Sequence, residues 1–189
     1  MKTVINEYIN KLEKTLKKLN YDDITECAEL LNKARKNGNF VYVIGNGGSA
    51  ATASHFVCDF NRNLSCKDGE KPFKFVCLND NISSVMSVSN DKSYDDIFVE
   101  QLKNFIEKDD VLLAISGSGN SKNILKAVDY ANSVGAVTIG FTGFDGGDLR
   151  TKAKYSVNAN IDNMEISEDI HIILCHLLKT IFLKKCNLF

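Results

Sequence analysis

Tryptophan is absent from the 189 residues, proline occurs once, at Pro72, and histidine three times, at His55, His171 and His176. One proline excludes a proline-rich linker or recognition arm and leaves nearly every segment free to be helix or strand. The six cysteines, Cys27, Cys58, Cys66, Cys77, Cys175 and Cys186, never take C-x-x-C spacing, which argues against a cysteine zinc module or a disulfide framework. They read as reduced, packed thiols. No apolar run approaches the roughly 18 residues of a membrane span. The start, Met1 to Glu7, has no signal-type apolar core, so the expectation is a cytoplasmic protein without membrane contact. A formal charge of -1 gives no overall bias toward nucleic acid, so no nucleic-acid partner is expected and an anion must be held by local geometry. No Gly-Lys-Ser/Thr triplet follows any glycine turn, which excludes a nucleotide P-loop.

What remains is ordinary globular material, 44% hydrophobic and 25% charged, of a length suited to one domain. Val4, Ile5, Tyr8, Ile9, Leu12, Leu16 and Leu19 recur at helical spacing over the first twenty residues. A second helix follows, capped by Asp22 or Asp23 and stopped at Gly38. These two make an N-terminal helical arm over 1–38, more than a sheet layer requires, which suggests either packing against another subunit or a covering role. Apolar runs at 40–44, 73–78, 111–115 and 136–141 read as strands, and Tyr155-Ser156-Val157-Asn158-Ala159 as a fifth, separated by helical patterns. Of these helices, 80–88 is short and interrupted at Ser89-Asn90-Asp91, 94–106 is helical again, and the last runs from about Glu165 to Lys184. The stretch 61–72 reads as an exposed loop. Continuous apolar strands alternating with helices predict an α/β fold, a three-layer αβα sandwich with a five-stranded parallel sheet of flavodoxin-like type over 39–189.

Two strand-to-helix junctions stand out. Gly45-Asn46-Gly47-Gly48-Ser49-Ala50 follows the first strand, and Ser116-Gly117-Ser118-Gly119-Asn120-Ser121 follows the third. Glycine admits positive φ and close backbone approach, and a helix N-terminus adds partial positive charge, so each turn suits an anionic group. Ser116, Ser118 and Ser121 add hydroxyls that can surround phosphate oxygens without a lysine. A structural turn and N-cap cluster is the plain alternative. Gly45-x-Gly47-x-x-Ala50 also fits a dinucleotide fingerprint, but that needs an acidic residue about 20 positions on, and Asp80 comes too late. No nucleotide cofactor is expected. His55 and Asp59 share a helix face at i,i+4, a spacing seen in metal-binding helices.

With these motifs, Asn90-Asp91, Thr142-Gly143-Phe144-Asp145-Gly146-Gly147, and Glu168-Asp169-Ile170-His171 with His176, the whole chain resembles the SIS (sugar isomerase) domain proteins, and among them the phosphoheptose isomerases. The resemblance implies a ketose–aldose isomerase converting sedoheptulose 7-phosphate to D-glycero-D-manno-heptose 7-phosphate. It implies that Ser49, Ser116, Ser118 and Ser121 hold the phosphate, with Gly117 in the same loop, and that Asn46, Gly47, Gly48, Asn90 and Asp91 line the sugar site, with Glu168 beside it. It puts the catalytic carboxylate at Asp59 and the catalytic histidine at His176. Some members bind zinc, through positions matching His55, Asp59, Glu168 and His176, and members are typically homotetramers with active sites between subunits. This chain departs from the family pattern in having Asp59 where Glu is usual and Glu168 where Gln is usual.

Glu168 and His176 are eight residues apart, roughly 12 Å along a straight helix, so joint ligation of one ion demands an irregular helix start or long reach. Glu168 faces His171 better, at i,i+3. Rival readings are an isomerase of a different sugar phosphate, a non-catalytic SIS regulator binding the replication initiator, and, last, a dinucleotide oxidoreductase.

Overall fold

A computed structural model describes residues 1–63 and 70–185. Cys66, Cys186 and residues 64–69 of the expected 61–72 loop lie outside the described residues, while 61–63 are not loop but the end of a helix. Five strands, β1 (Val41–Gly45), β2 (Phe75–Cys77), β3 (Val111–Ser116), β4 (Val137–Gly143) and β5 (Tyr155–Ala159), form one sheet in the order β2-β1-β3-β4-β5. Every pairing is parallel.

The central strands β1 and β3 are buried along their whole length because both faces are covered, whereas the edge strand β5 carries Ser156 and Asn158 at half-buried positions. Val111, Leu113 and Ile115 point into a core shared with α2 (Tyr21–Asn37), α3 (Gly48–Asn63) and α8 (Met164–Lys185). Leu112 and Ala114 point the other way, toward α5 (Val99–Phe105), α6 (Lys122–Ser133) and α7 (Gly147–Lys152). This alternation at period two produces the expected three layers.

One aromatic cluster sets the site. Phe56 and Phe60 of α3 are buried against Phe73, Phe75, Phe141 and Phe182, with Phe60 and Phe75 stacked at 4.4 Å and Phe73 edge-on to Phe182 at 4.9 Å. Each such burial contributes about 1.5–3 kcal/mol. Because Phe56 and Phe60 directly follow His55 and Asp59 in sequence, the packing that docks α3 against α8 also fixes where those two polar residues emerge.

Several boundaries differ from the sequence expectation. The cap of α2 is Asn20, whose side chain accepts from the Asp22 N–H, so neither Asp22 nor Asp23 performs that role; Gly38, at φ 84°, ends the helix as expected. The helix α4 (Ile82–Asp91) runs unbroken through Ser89, Asn90 and Asp91. The 94–106 segment divides into a 3-10 turn, Tyr94–Asp96, and α5. The arm helix α1 (Lys2–Lys17) is joined to α8 by the Tyr8 hydroxyl, which donates to Asp169 Oδ2 at 2.6 Å. Val4, Ile5 and Ile9 of α1 and Ile82 and Met86 of α4 are exposed.

His171 is fully buried in α8, its ring 6.1 Å from that of Phe141 and without a well-formed hydrogen bond on either nitrogen. Burial drives its pKa from 6.5 down to about 4, only partly offset by the Thr142 backbone. Between those two values the unfolded chain binds the extra proton, so this group removes stability as pH falls through that window and has no effect above it. Melting temperature followed across that interval should drop less steeply in a His171→Gln variant; an unchanged slope would detach His171 from acid sensitivity.

Candidate active site

Between β1 and β3 the strand order reverses, and the loops leaving these two strands diverge, which is where ligands gather in open parallel sheets. The opening is a cleft of about 260 Å³. Asn46, Gly47, Gly48 and Ser49 line it from the first loop, Ser116, Gly117, Ser118 and Ser121 from the second, and Met164 and Glu168 from α8. A larger hollow of about 470 Å³ lies on the far side of Ser118, but Asp145 and Asp162 line it and no lysine or arginine does, so it repels anions.

The first loop is held from beneath. Asn79 accepts from the Gly45 N–H at 3.1 Å and donates to the Gly45 carbonyl at 2.7 Å. A Cβ on Gly45 would lie 2.4 Å from the Ser49 carbonyl oxygen, so only glycine permits the turn into α3. The amide of Asn46 is paired reciprocally with that of Asn123, both bonds 2.9 Å, and its oxygen also accepts from the Tyr94 hydroxyl. Sequence reasoning missed Asn79, Asn123 and Tyr94. The Asn46 side chain thus mainly braces the loop.

In the second loop the Ser116 and Ser118 hydroxyl oxygens accept from the N–H groups of Gly119 and Asn120. Ser121 stands at the N-terminal cap of α6 yet makes no side-chain cap bond, so its hydroxyl can face the cleft. The arrangement offers hydroxyls, exposed amide N–H groups and the starts of α3 and α6, a combination that binds an anion without a formal cation.

A second cluster lies further along α8. His55 and Asp59 of α3 meet Cys175, His176 and Lys179 of α8. The two histidines hydrogen-bond through Nε2 at 2.9 Å, and Asp59 Oδ2 lies 3.4 Å from His55 Nε2 and 3.8 Å from His176 Nε2. Asp59 Oδ1 accepts from Lys179 Nζ at 2.6 Å, whereas Oδ2, though buried, has no hydrogen-bond partner. His55, Asp59 and Cys175 form a group whose potential metal-ligating atoms lie within 4.8 Å of one another. Burial, with the Asp59 charge, raises the pKa of the Cys175 thiol, which favours its protonated form.

The remaining candidates stand apart from this cluster. The Glu168 carboxylate packs against Gly48, where an added Cβ would meet Oε2 at 2.2 Å. It lies two helical turns from His176, and it is not part of the metal-type group found among the described residues. Asn90 and Asp91 sit exposed at the end of α4, bonded to each other at 2.8 Å, and do not line the cleft. His171 is buried in the core and bonds to neither Glu168 nor the cluster.

Residues 6–143 match the SIS domain family model, well over half of the chain. The chain belongs to the SIS domain family. Within this family it is 35% identical over 172 residues to a probable phosphoheptose isomerase of Thermoplasma acidophilum, covering 91% of this chain and 93% of that one. It is 32% identical over 167 residues to the phosphoheptose isomerase of Helicobacter pylori strain 26695, covering 88% and 85%. Among solved structures, the phosphoheptose isomerase of Neisseria gonorrhoeae superposes with a TM-score of 0.85 at 28% identity, covering 95% of each chain. That of Francisella tularensis superposes with 0.86 at 27% identity, covering 96% and 95%. This SIS domain chain therefore shares fold and family with the phosphoheptose isomerases along nearly its full length.

Proposed function

We propose that the chain is an aldose–ketose isomerase that interconverts sedoheptulose 7-phosphate and D-glycero-D-manno-heptose 7-phosphate by proton transfer through an enediolate. One observation carries the reading: the hydroxyl-lined cleft and the histidine–carboxylate cluster lie along the same helix, α8, so one extended phosphosugar can reach both. In this proposal Ser49, Ser116, Ser118, Ser121 and the flanking N–H groups hold the phosphate. Asp59 Oδ2 removes the proton beside the carbonyl, and His176 supplies a proton to the oxygen. His55, hydrogen-bonded to His176, holds its ring in orientation.

Zinc fits the donors present. Ligands of one tetrahedral zinc at about 2.0–2.1 Å stand roughly 3.3 Å apart, and His55, His176 and Asp59 Oδ2 are separated by 2.9, 3.4 and 3.8 Å. Bound there, zinc would occupy Asp59 Oδ2 and His176 Nε2 and would instead polarise substrate oxygens as a Lewis acid, in place of proton exchange by those two atoms. The exposed apolar residues of α1 and α4, and the absence of any buried residue in α4, support a homotetramer in which Asn90 and Asp91 serve sites shared between subunits. We take the chain as one SIS domain acting in the cytoplasm, which suits the free thiols Cys27, Cys58, Cys77 and Cys175.

The test is incubation of purified protein with sedoheptulose 7-phosphate in D₂O, with and without added zinc, followed by NMR. Appearance of the aldose with solvent deuterium at C2 is the expected result. No product from any ketose phosphate would overturn the proposal. Because the Ser121 hydroxyl has no cap bond to lose, Ser121→Ala should raise KM about tenfold, the worth of one hydrogen bond to a charged group, at nearly constant kcat. An unchanged KM removes Ser121 from the phosphate site.

A further inference from the structure

Lys179 has no place in the sequence motifs, yet its Nζ is 2.6 Å from Asp59 Oδ1, a contact between residues 120 positions apart. Both side chains are largely enclosed, 19% exposed for Lys179 and 10% for Asp59. The terminal torsion of an aspartate is broad, so an untethered carboxylate swings and presents either oxygen. Here one oxygen is tied down by a charge-assisted bond, and the other is left facing the two Nε2 atoms. Lys179 is also one turn of α8 beyond His176, so the two share a helix face.

We infer that Lys179 is the positioning residue for Asp59: by holding Oδ1 it fixes Oδ2 toward His55, His176 and the reacting carbon of the substrate. This rests on the isomerase reading for its catalytic consequence, though not for the geometry itself. An aspartate reaches one methylene less far than a glutamate, and it has less slack to recover its aim once released. A misplacement of about 1 Å at a reacting group costs on the order of 100-fold in rate. Lys179 acts through Asp59 and does not itself exchange a proton with substrate.

The experiment compares wild type, Lys179→Met and Lys179→Arg in two readouts. In turnover of sedoheptulose 7-phosphate, Lys179→Met should lower kcat by roughly 10- to 100-fold with KM within about twofold, while Lys179→Arg restores most of kcat. In NMR at fixed pH, where the chain's three histidines supply few imidazole signals, Lys179→Met should move those of His55 and His176 and leave that of buried His171 in place. Unmoved His55 and His176 signals overturn the positioning role whether or not the protein turns over. Moved signals with unchanged kcat overturn its link to the reaction. An inactive wild type whose Lys179→Met variant still moves both signals overturns the isomerase reading and leaves the positioning intact. Should Lys179→Met fail to melt cooperatively, Lys179→Gln, which is uncharged and one atom shorter so that the 2.6 Å contact opens beyond hydrogen-bond distance, is measured in its place and is expected to lose kcat in the same way.

Discussion

Replacing His176 by Asn is expected to lower kcat by roughly 10²- to 10⁴-fold, the contribution of a general acid placed at the reacting oxygen. KM for sedoheptulose 7-phosphate should hardly change, because the phosphate is proposed to bind through the two glycine loops, none of whose residues bonds to His176. The fold should persist: the His176 side chain is 56% exposed, and the Thr180 hydroxyl donates to its backbone carbonyl, which the substitution retains. Steady-state kinetics alongside a melting curve decide the matter. A variant of full activity would refute the acid role, and one that melts far below wild type would show that the imidazole pair with His55 holds α3 to α8.

The second large effect is expected at Gly119. Its φ is 68°, in the left-handed region, and a Cβ built there would lie 2.0 Å from the Gly146 carbonyl oxygen, a backbone atom that cannot turn aside. Its own N–H donates to the Ser116 carbonyl and its carbonyl accepts from Leu149, so the second loop is joined through this residue to the start of α7. Gly119→Ala should therefore cost about 2–3 kcal/mol and lower Tm by about 5–10 °C. It should also weaken sugar-phosphate binding, since Ser118 and Ser121 sit on either side of the displaced peptide. Melting at the wild-type temperature would mean that the loop and α7 separate without penalty.

Four of the five strands were legible as largely apolar runs ending at a loop residue, the pattern that a sheet covered on both faces demands, whereas the edge strand β5 showed only as the alternation Tyr155-Ser156-Val157-Asn158-Ala159. The α/β class and parallel order followed from strands alternating with helices. Less was legible where a residue's role depends on a distant neighbour. Asn123 reads in sequence as one more polar helix residue; only the crossing of α6 over the first loop pairs it with Asn46. Lys179 reads as a solvated lysine until α8 lies against α3. The run Ser89-Asn90-Asp91 looked like a break because all three favour turns, yet α4 continues through it with its polar residues in solvent. At Asn20-Tyr21-Asp22-Asp23 three residues could cap, and local pattern cannot choose among them. The spacing argument for Glu168 and His176 rested on helix rise alone, and α8 keeps them on one regular rod.

That rod carries a consequence for selectivity. Glu168 borders the anion cleft, and His176 of the histidine–carboxylate cluster stands about 12 Å further along the axis, the rise of eight helical residues. Since one continuous helix sets this interval, neither end can drift toward the other, and on the proposed reading α8 fixes how far the phosphate stands from the carbonyl. A three-carbon phosphate seated by its phosphate covers much less of that interval than a seven-carbon one.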